Sequence, residues 1–383
     1  MRGPELPGGR STCASRPASP RRSDRSGVPR RLCTRHPAHL TGVFVRVLLD
    51  QRQLHANVRW YHDAVRAHGL TLRAHVKGHR LAQVTSHQLA SGACGIVAQT
   101  AREAVHHATE TGVRDVVIAR PSTEQWRLPV YAAAARALDA RGVRTTVQVT
   151  SRDAVAVLAA EAARAGVRLG VRLEVDVGAD RGLPATEVPG AAREIASSAA
   201  LRLDGVSGYY SPVDSFAATR WAHGARSAAR VLVEVAGHVR NAGIRCPVVS
   251  MGGTVNGLVA SGVPGVTEIA AGAYALADAT VAAATGCAPA LLVEGGVVDG
   301  DLEEAAADLL RACGNDWDHE TTATTPELVP VRQRLSRETA TVQLVPAHIC
   351  PVLMRARFVD VVTHEGREPT SRWRPVLLPE VEP

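Results

Sequence analysis

The feature that most constrains the fold is a repeated alternation, beginning near residue 43, between short β-branched runs and longer Ala/Arg-rich stretches. The short runs are continuously apolar, which is typical of parallel strands buried on both faces of a sheet. The candidate strands are Val43–Asp50, Leu72–Lys77, Gly95–Thr100, Asp115–Arg120, Thr145–Thr150, Leu169–Val177, Leu203–Tyr209 and Pro247–Met251. Candidate helices between them include Gln51–His68, Glu124–Arg141, Ser151–Ala165 and Ser215–Asn241. The pattern therefore predicts an α/β fold.

Eight strand–helix units predict a (β/α)8 barrel in particular. An open doubly wound sheet is the alternative, but no Gly-x-Gly-x-x-Gly motif follows any candidate strand. The pattern changes after about residue 285, where the segments Pro289–Val298, Ala340–Val345 and Ile349–Val362 resemble strands without long intervening helices. We therefore expect a leader over residues 1–40, a barrel over 41–284 and a smaller β-rich domain over 285–383.

The net charge of +7 comes from the first 40 residues, which carry nine arginines and two acidic residues. The rest of the chain has 35 basic and 35 acidic residues, and aromatic residues make up only 3% of the whole. A neutral body with few stacking platforms argues against nucleic-acid binding. The Arg/Pro/Ser-rich leader is expected to be disordered.

The sequence also argues against a membrane-spanning protein and against a disulfide-stabilised one. No apolar run approaches the roughly 20 residues of a membrane-spanning helix. The seven cysteines form no Cys-x-x-Cys pair and no regular spacing, so we expect a reduced protein of the cytoplasm rather than a disulfide framework.

Lys77 is the only lysine in the chain, whereas the other 43 basic residues are arginines. A guanidinium group cannot replace an amine that must deprotonate and form an imine with a carbonyl. The position of Lys77 at the carboxyl end of a candidate strand is where barrels place catalytic residues. A lysine retained by chance on the surface is the alternative, but the sequence favours Schiff-base chemistry.

The segment Ser250–Thr254, with the sequence SMGGT, ends the last candidate strand. Consecutive glycines let backbone N–H groups approach an anion, and barrels often bind phosphate after strands 7 and 8. Most such turns are merely tight turns. A lysine and a phosphate cradle in one barrel nevertheless indicate a phosphate-bearing carbonyl cofactor, pyridoxal 5'-phosphate.

The segment Arg73–His79 resembles the Arg-x-His-x-Lys-x-His signature of the D-serine dehydratase and D-threonine aldolase family, which has an alanine-racemase-like barrel of fold type III. The resemblance runs from residue 43 to about 365. It continues through Ala93–Glu103, Glu174–Gly182, Gly205–Tyr209, Val249–Thr254, Thr267–Asp278 and Val345–Pro351.

The resemblance implies that Lys77 binds the cofactor as a Schiff base, that Arg181 approaches the ring hydroxyl and that Tyr209 lies beside the pyridine ring. It also implies a phosphate site formed by Ser250, Gly252, Gly253, Thr254, Gly272 and Tyr274. The alternative roles are a surface ion pair with Asp180 or Asp176 for Arg181 and a core position for Tyr209.

His348 and Cys350 are separated by one residue, so they would point to the same side of a strand. Imidazole and thiolate together suit zinc or another divalent metal, although a buried structural His and Cys is the commoner arrangement. The pair matches the metal pair of the family that the chain resembles. A His-x-Cys pair is more similar to the dehydratases, since the aldolases have a carboxylate at the second position.

The sequence departs from the family pattern near the substrate end. Residues 335–340 read LSRETA, with Thr339 where the family has a histidine, an Asp-x-Gly-x-Lys segment is missing or replaced by Asp299–Asp308, and Leu353 and Met354 replace an Asn-Leu pair. Cofactor binding is therefore better supported than the identity of the substrate.

The resemblance implies a homodimeric lyase that acts on a small D-β-hydroxy-α-amino acid. Elimination to a keto acid and ammonia ranks first, and retro-aldol cleavage to glycine and an aldehyde ranks second. An amino-acid racemase and a non-catalytic cofactor carrier are further alternatives. The racemase would not need the His-x-Cys pair, and the carrier would lack a second domain.

Overall fold

The computed structural model of the chain describes residues 43–119, 127–179, 181–211, 218–297, 330–335, 340–346, 348–363 and 369–376. No helix in these ranges is long and apolar enough to cross a membrane. The altered segments 299–308 and 336–339 lie outside the described residues, as does the leader.

The described strands and helices alternate along most of the chain. The strands are β1 (Val43–Asp50), β2 (Thr71–His75), β3 (Ile96–Ala98), β4 (Asp115–Ile118), β5 (Arg144–Val149), β6 (Leu169–Glu174), β7 (Leu201–Tyr209), β8 (Val248–Gly252), β9 (Glu268–Ala271), β10 (Leu291–Val297), β11 (Pro330–Leu335), β12 (Ala340–Leu344), β13 (Val359–Val362) and β14 (Ser371–Trp373). The helices are α1 (Gln51–Arg66), α2 (Ala82–Ala90), α3 (Ala101–Thr111), α4 (Arg127–Asp139), α5 (Arg152–Ala165), α6 (Val188–Ser197), α7 (Ala218–Asn241), α8 (Thr254–Ala260), α9 (Ala279–Ala284) and α10 (Ile349–Arg355).

Strands β2 to β9 form a closed parallel barrel in sequence order, with β9 pairing back to β2. Helices follow most of these strands and begin at residues suited to capping. The side chains of Thr100 and Ser151 accept hydrogen bonds from first-turn N–H groups of α3 and α5. Both helices end at left-handed glycines, Gly112 and Gly166. The (β/α)8 barrel predicted from the sequence is confirmed.

The prediction that Val43–Asp50 is a barrel strand was wrong. β1 pairs with β10 and β13 in a separate six-stranded sheet of order β11-β12-β10-β1-β13-β14. The eighth barrel strand is β9, whose four residues, Glu-Ile-Ala-Ala, include one β-branched residue. An apolar run indicates burial on both faces but not which strands flank it, because the pairing partners are distant in sequence.

The β-rich character predicted after residue 285 is confirmed, but Ile349–Val362 is not one strand. Its first half is helix α10 and its second half contains β13. Pro351 lies in the first turn of α10, where a missing backbone N–H costs no intrahelical hydrogen bond. His348 is consequently the residue before a helix rather than part of a strand.

A buried ionic layer fills the barrel below the carboxyl ends of its strands. Glu268 accepts hydrogen bonds from Arg73 Nε at 2.9 Å and from an Arg172 NH group at 2.6 Å. Burial alone would raise the pKa of Glu268, but the two guanidinium groups outweigh it and lower this pKa to about 2. Because side chains two residues apart on a strand share a face, His75 and Glu174 lie on the inner face above this layer.

Candidate active site

Lys77 lies in a 3-10 turn, Val76–Gly78, that follows β2 directly. The strand ends at His75, two residues earlier than expected, but the lysine still stands at the carboxyl end of the barrel and is exposed. The backbone N–H of Lys77 donates to Nδ1 of His75 over 3.4 Å. This bond requires the neutral form of His75, and burial, followed by the charges of Lys77, His79 and Arg181, lowers its pKa to about 3.

Arg181 and Tyr209 lie beside each other at the mouth of the barrel, where the adjacent strands β6 and β7 end. The guanidinium carbon of Arg181 lies 5.1 Å from the centre of the Tyr209 ring, a cation–π distance. Arg181 Nε donates to Glu174 Oε1 over 2.8 Å, so its partner is Glu174 rather than Asp176. Asp180 lies outside the described residues. Burial raises the pKa of Tyr209 despite the nearby Arg181 charge.

Glycines keep the ends of β8 and β9 free of side chains. A Cβ atom on Gly253, whose φ is +100°, would lie 3.0 Å from the Tyr209 ring, and one on Gly252 would lie 3.3 Å from the carbonyl oxygen of Gly208. A Cβ on Gly272 would overlap the carbonyl oxygen of His75 at 1.9 Å. The Thr254 hydroxyl is buried here without a hydrogen-bond partner among the described residues.

Two residues of the predicted phosphate site are already engaged elsewhere. Ser250 donates its hydroxyl to Glu268 over 2.9 Å in the ionic layer. The Tyr274 hydroxyl contacts His62 Nε2 at 2.9 Å and accepts from Gln88 at 3.0 Å. Both hydroxyls thus have partners within the barrel, whereas the Thr254 hydroxyl has none among the described residues.

Helix α10 brings His348 and Cys350 to the same mouth. Ile349 lies against the turn of Lys77, 3.5 Å from where a Cβ on Gly78 would be. His348 Nδ1 donates to Asp278 Oδ2 over 3.2 Å, and His348 and Cys350 lie close enough for each to shift the pKa of the other. Burial would raise the pKa of the Cys350 thiol, but His348 and the charge of Lys77 outweigh it and lower this pKa. The charges of His348 and Lys77 therefore both act on the Cys350 thiol.

The alanine racemase N-terminal domain family model matches residues 49–275, which is more than half of the chain. The chain belongs to the alanine racemase N-terminal domain family. The matched segment covers the barrel strands β2 to β9 and ends at Ala275. Strands β10 to β14 of the six-stranded sheet follow it in the chain.

Two curated relatives of this alanine racemase family member are a D-threo-3-hydroxyaspartate dehydratase from Delftia and a D-threonine aldolase from Arthrobacter. They are 32% and 28% identical over 237 residues, and the chain spans about 60% of the length of each. The alignments cover 60% and 61% of this chain, respectively. The solved structure of the Delftia dehydratase matches with a TM-score of 0.71 and 24% identity, covering 87% of this chain and 97% of that one.

Pyridoxal 5'-phosphate is the cofactor implied for an alanine-racemase-like barrel, and the residues at its mouth fit this group. Lys77 supplies an exposed amine, and Arg181 supplies a cation over an aromatic ring. The glycine turns after β8 and β9 leave backbone room for a phosphate, and the Thr254 hydroxyl lacks a partner among the described residues. These are the donor types that a phosphorylated pyridine aldehyde requires.

The fit to a metal rests on the donor set of His348 and Cys350. The described residues contain no cluster of three or more His, Cys, Asp or Glu side chains that could hold a metal ion. Because Asp278 engages Nδ1 of His348, Nε2 remains as the ligating nitrogen, an arrangement common around metal-bound histidines. A borderline-soft ion such as zinc matches an imidazole and a thiolate.

Sequence reasoning did not assign Glu174 or Asp278, although both lie in segments that carry the resemblance. Glu174 is the last residue of β6. Its side chain points into the barrel because Arg172, two residues earlier on the same strand, does so. Asp278 caps α9 by accepting from the N–H of Val281 over 2.9 Å, which explains its position but not its contact with His348. That contact joins residues 70 positions apart and has no local signal.

Proposed function

We propose that the chain is a pyridoxal-phosphate-dependent lyase that acts on a D-β-hydroxy-α-amino acid, and that it eliminates the β-hydroxyl group. The observation that carries the proposal is the placement of the chain's only lysine at the barrel mouth, in the turn against which helix α10 brings the segment of His348 and Cys350. The relatives named for D-threonine and D-threo-3-hydroxyaspartate support a 3-hydroxylated D-amino acid as substrate.

Lys77 would hold the cofactor and then act as a proton carrier. When bound, the cofactor supplies an electron sink for a bond broken at the substrate Cα. With substrate bound, the Nζ atom of Lys77 would be a free amine in the turn Val76–Gly78. This amine would take the proton from Cα, since the 3-10 turn holds the backbone of Lys77 at the mouth of the barrel.

Arg181, Tyr209 and the glycine turns would orient the cofactor. Arg181 is held by Glu174 and therefore presents its guanidinium group in one direction over Tyr209. The backbone and the hydroxyl of Thr254 would bind the phosphate. Contacts at both ends would orient the bound cofactor relative to Lys77 and so would favour cleavage of one bond at Cα.

His348 and Cys350 would hold a divalent metal, which supplies Lewis acidity for the departure of a hydroxyl group. Asp278 keeps His348 in the tautomer that leaves Nε2 free. Removal of a Cα proton leads to elimination, whereas removal of the β-hydroxyl proton leads to retro-aldol cleavage. Both outcomes use the same residues, and the His-x-Cys pair favours elimination.

The test starts with the purified protein loaded with pyridoxal phosphate and zinc. Borohydride treatment should trap a covalent adduct on the peptide containing Lys77, and no other lysine exists to compete. D-Serine should then yield pyruvate and ammonia, and D-threo-3-hydroxyaspartate should yield oxaloacetate and ammonia. Chelation should abolish product formation and added zinc should restore it.

The possible outcomes separate the candidate functions. Glycine and an aldehyde from D-threonine, without keto acid from any substrate, would establish the aldolase. Adduct formation with neither product would leave the carrier or the racemase, and loss of optical activity of D-serine would select the racemase. Absence of the Lys77 adduct would contradict the proposal as a whole. We also propose a homodimer, which sedimentation equilibrium would test.

A further inference from the structure

A chain of buried hydrogen bonds runs behind the barrel mouth from His79 to Ser91. The Nε2 atom of His79 lies 3.1 Å from Oε1 of Gln88, and Nε2 of Gln88 donates to the Tyr274 hydroxyl over 3.0 Å. The Tyr274 hydroxyl lies 2.9 Å from Nε2 of His62, and Nδ1 of His62 lies 3.0 Å from the carbonyl oxygen of Ser91. The first four side chains are at most 3% exposed.

The direction of every bond in this chain is determined by its ends. His79 Nδ1 accepts from the N–H of Leu81, so its Nε2 must carry the proton and donate to Gln88. The carbonyl of Ser91 can only accept, so His62 donates from Nδ1 and accepts at Nε2 from the Tyr274 O–H. Both histidines are neutral, since burial lowers the pKa of each to about 4.

Gln88 is the residue that joins the two turns of the proposed cofactor site. His79 belongs to the segment that carries Lys77, and Tyr274 follows Gly272 in the 3-10 turn Ala273–Ala275. These turns end the adjacent strands β2 and β9. Only a side chain with one acceptor and one donor at its tip completes the observed pattern, and an amide provides both.

Tyr61 connects this hydrogen-bonded chain to the turn after β8, which is the third turn of the site. Its ring stacks on Tyr274 with centroids 4.3 Å apart and planes 8° apart, and its hydroxyl donates to the carbonyl oxygen of Thr254 over 2.7 Å. Helices α1 and α2 therefore contact the turns after β2, β8 and β9 from behind.

We propose that Gln88 is a positioning residue that sets the distance between the Lys77 turn and the Gly272–Tyr274 turn. It would thereby match the spacing of the imine and phosphate ends of the bound cofactor. The inference rests on the proposed function, because the two turns are the proposed anchors of pyridoxal phosphate. Gln88 itself touches neither the cofactor nor the substrate in this account.

The test compares Gln88→Met, which keeps the size but removes both hydrogen bonds, with Thr85→Val as the matched control. Thr85 lies on the same helix, is fully buried and contacts His107 over 3.1 Å. Both variants should lose some thermal stability. Only Gln88→Met should weaken pyridoxal phosphate binding, by about tenfold in the dissociation constant measured by absorbance titration.

A second measurement needs no cofactor. Amide hydrogen exchange of the apoprotein should accelerate in residues 76–81 and 272–277 of Gln88→Met and of Tyr274→Phe, but not of Thr85→Val. The proposal is overturned if Gln88→Met matches Thr85→Val in both the dissociation constant and the local exchange rates. If the wild-type protein binds no pyridoxal phosphate, the proposed function fails, whereas the exchange comparison still decides whether Gln88 couples the two turns.

Discussion

At the scale of single residues, the site combines exposed reacting groups with buried groups that hold them. Lys77 is exposed, whereas the carboxylate of Glu174 that orients Arg181 is 1% exposed. Burial raises the pKa of Glu174, and its Oε2 atom has no hydrogen-bond partner among the described residues. Such a group costs folding free energy that packing elsewhere must offset. Changes at the two kinds of residue should therefore affect activity and stability differently.

Replacing Lys77 by arginine should abolish lyase activity while leaving the fold intact. Arginine retains the charge but cannot form an imine or donate a neutral amine. We expect a rate reduction of about 10³-fold or more and a change in unfolding free energy within about 0.5 kcal/mol, because the side chain is exposed. Product assays and urea unfolding would measure the two effects. Retained activity would show that Lys77 is dispensable.

Replacing Glu174 by glutamine should weaken cofactor binding severalfold with little loss of stability. The amide still accepts from Arg181 but loses the ionic attraction that fixes the guanidinium over Tyr209. Removing a buried carboxylate charge offsets this loss in the unfolding free energy. Absorbance titration with pyridoxal phosphate would measure the binding. Glu194→Gln, which breaks the surface pair with Arg152, is the control and should bind the cofactor as the wild type does.

At the scale of elements, the turns after the barrel strands depend on close backbone approach. The end of β9 passes the end of β2 so closely that Gly272 has no room for a side chain beside His75. Gly237, inside helix α7, has nothing within 4 Å of its virtual Cβ. Replacement by alanine should therefore change the unfolding free energy in opposite directions at the two glycines.

Gly272→Ala should destabilise the protein by about 2–4 kcal/mol, because β2 and β9 must separate to admit a methyl group. Gly237→Ala should stabilise it by about 0.5–1 kcal/mol, because alanine has the higher helix propensity and no clash arises. Chemical unfolding of both variants would measure these changes. Equal effects at the two positions would contradict the close approach at Gly272.

Element boundaries show where sequence patterns were sufficient. Helix α5 was predicted over Ser151–Ala165 and is observed over Arg152–Ala165 with Ser151 as its cap, because a local capping signal marks the start. The segment from Ile349 was predicted as a strand because it is rich in apolar residues, but Pro351 suits the first helical turn. Short apolar segments are ambiguous between helix and strand, and tertiary contacts decide between them.

At the scale of the whole molecule, the described part of the chain after the barrel shares its sheet with a strand that precedes the barrel. β1 lies between β10 and β13, so the sheet needs both ends of the described chain. The same arrangement brings α10 against the Lys77 turn. The neutral buried histidines of the barrel also contribute to the stability of the molecule as a whole, and their effect depends on pH.

The unfolding free energy should fall as the pH decreases from about 6.5 to about 4. In the folded protein burial holds the pKa of His62 and His79 near 4, whereas the unfolded chain binds these protons near pH 6.5. The unfolded state thus takes up more protons in this window, and each histidine should cost about 3 kcal/mol by its lower end. Urea unfolding across this pH range would measure the slope.

A pair of variants isolates this effect from the titration of carboxylates. His79→Gln removes one buried titrating group and should reduce the slope by about 1 kcal/mol per pH unit. His68→Asn, at an exposed position after α1, should leave the slope unchanged. Identical slopes in the wild type and His79→Gln would show that His79 does not contribute in this way.

The sequence by itself determined the (β/α)8 class and the β-rich character of the following region, because periodicity and burial patterns are local. It also singled out Lys77, since one lysine among 43 arginines is visible without any structure. Only the tertiary structure decided that β1 leaves the barrel, that Glu174 holds Arg181 and that Asp278 holds His348. Strand partners and ion pairs depend on which distant segments meet, and that choice is made by packing of the whole chain rather than by any local pattern.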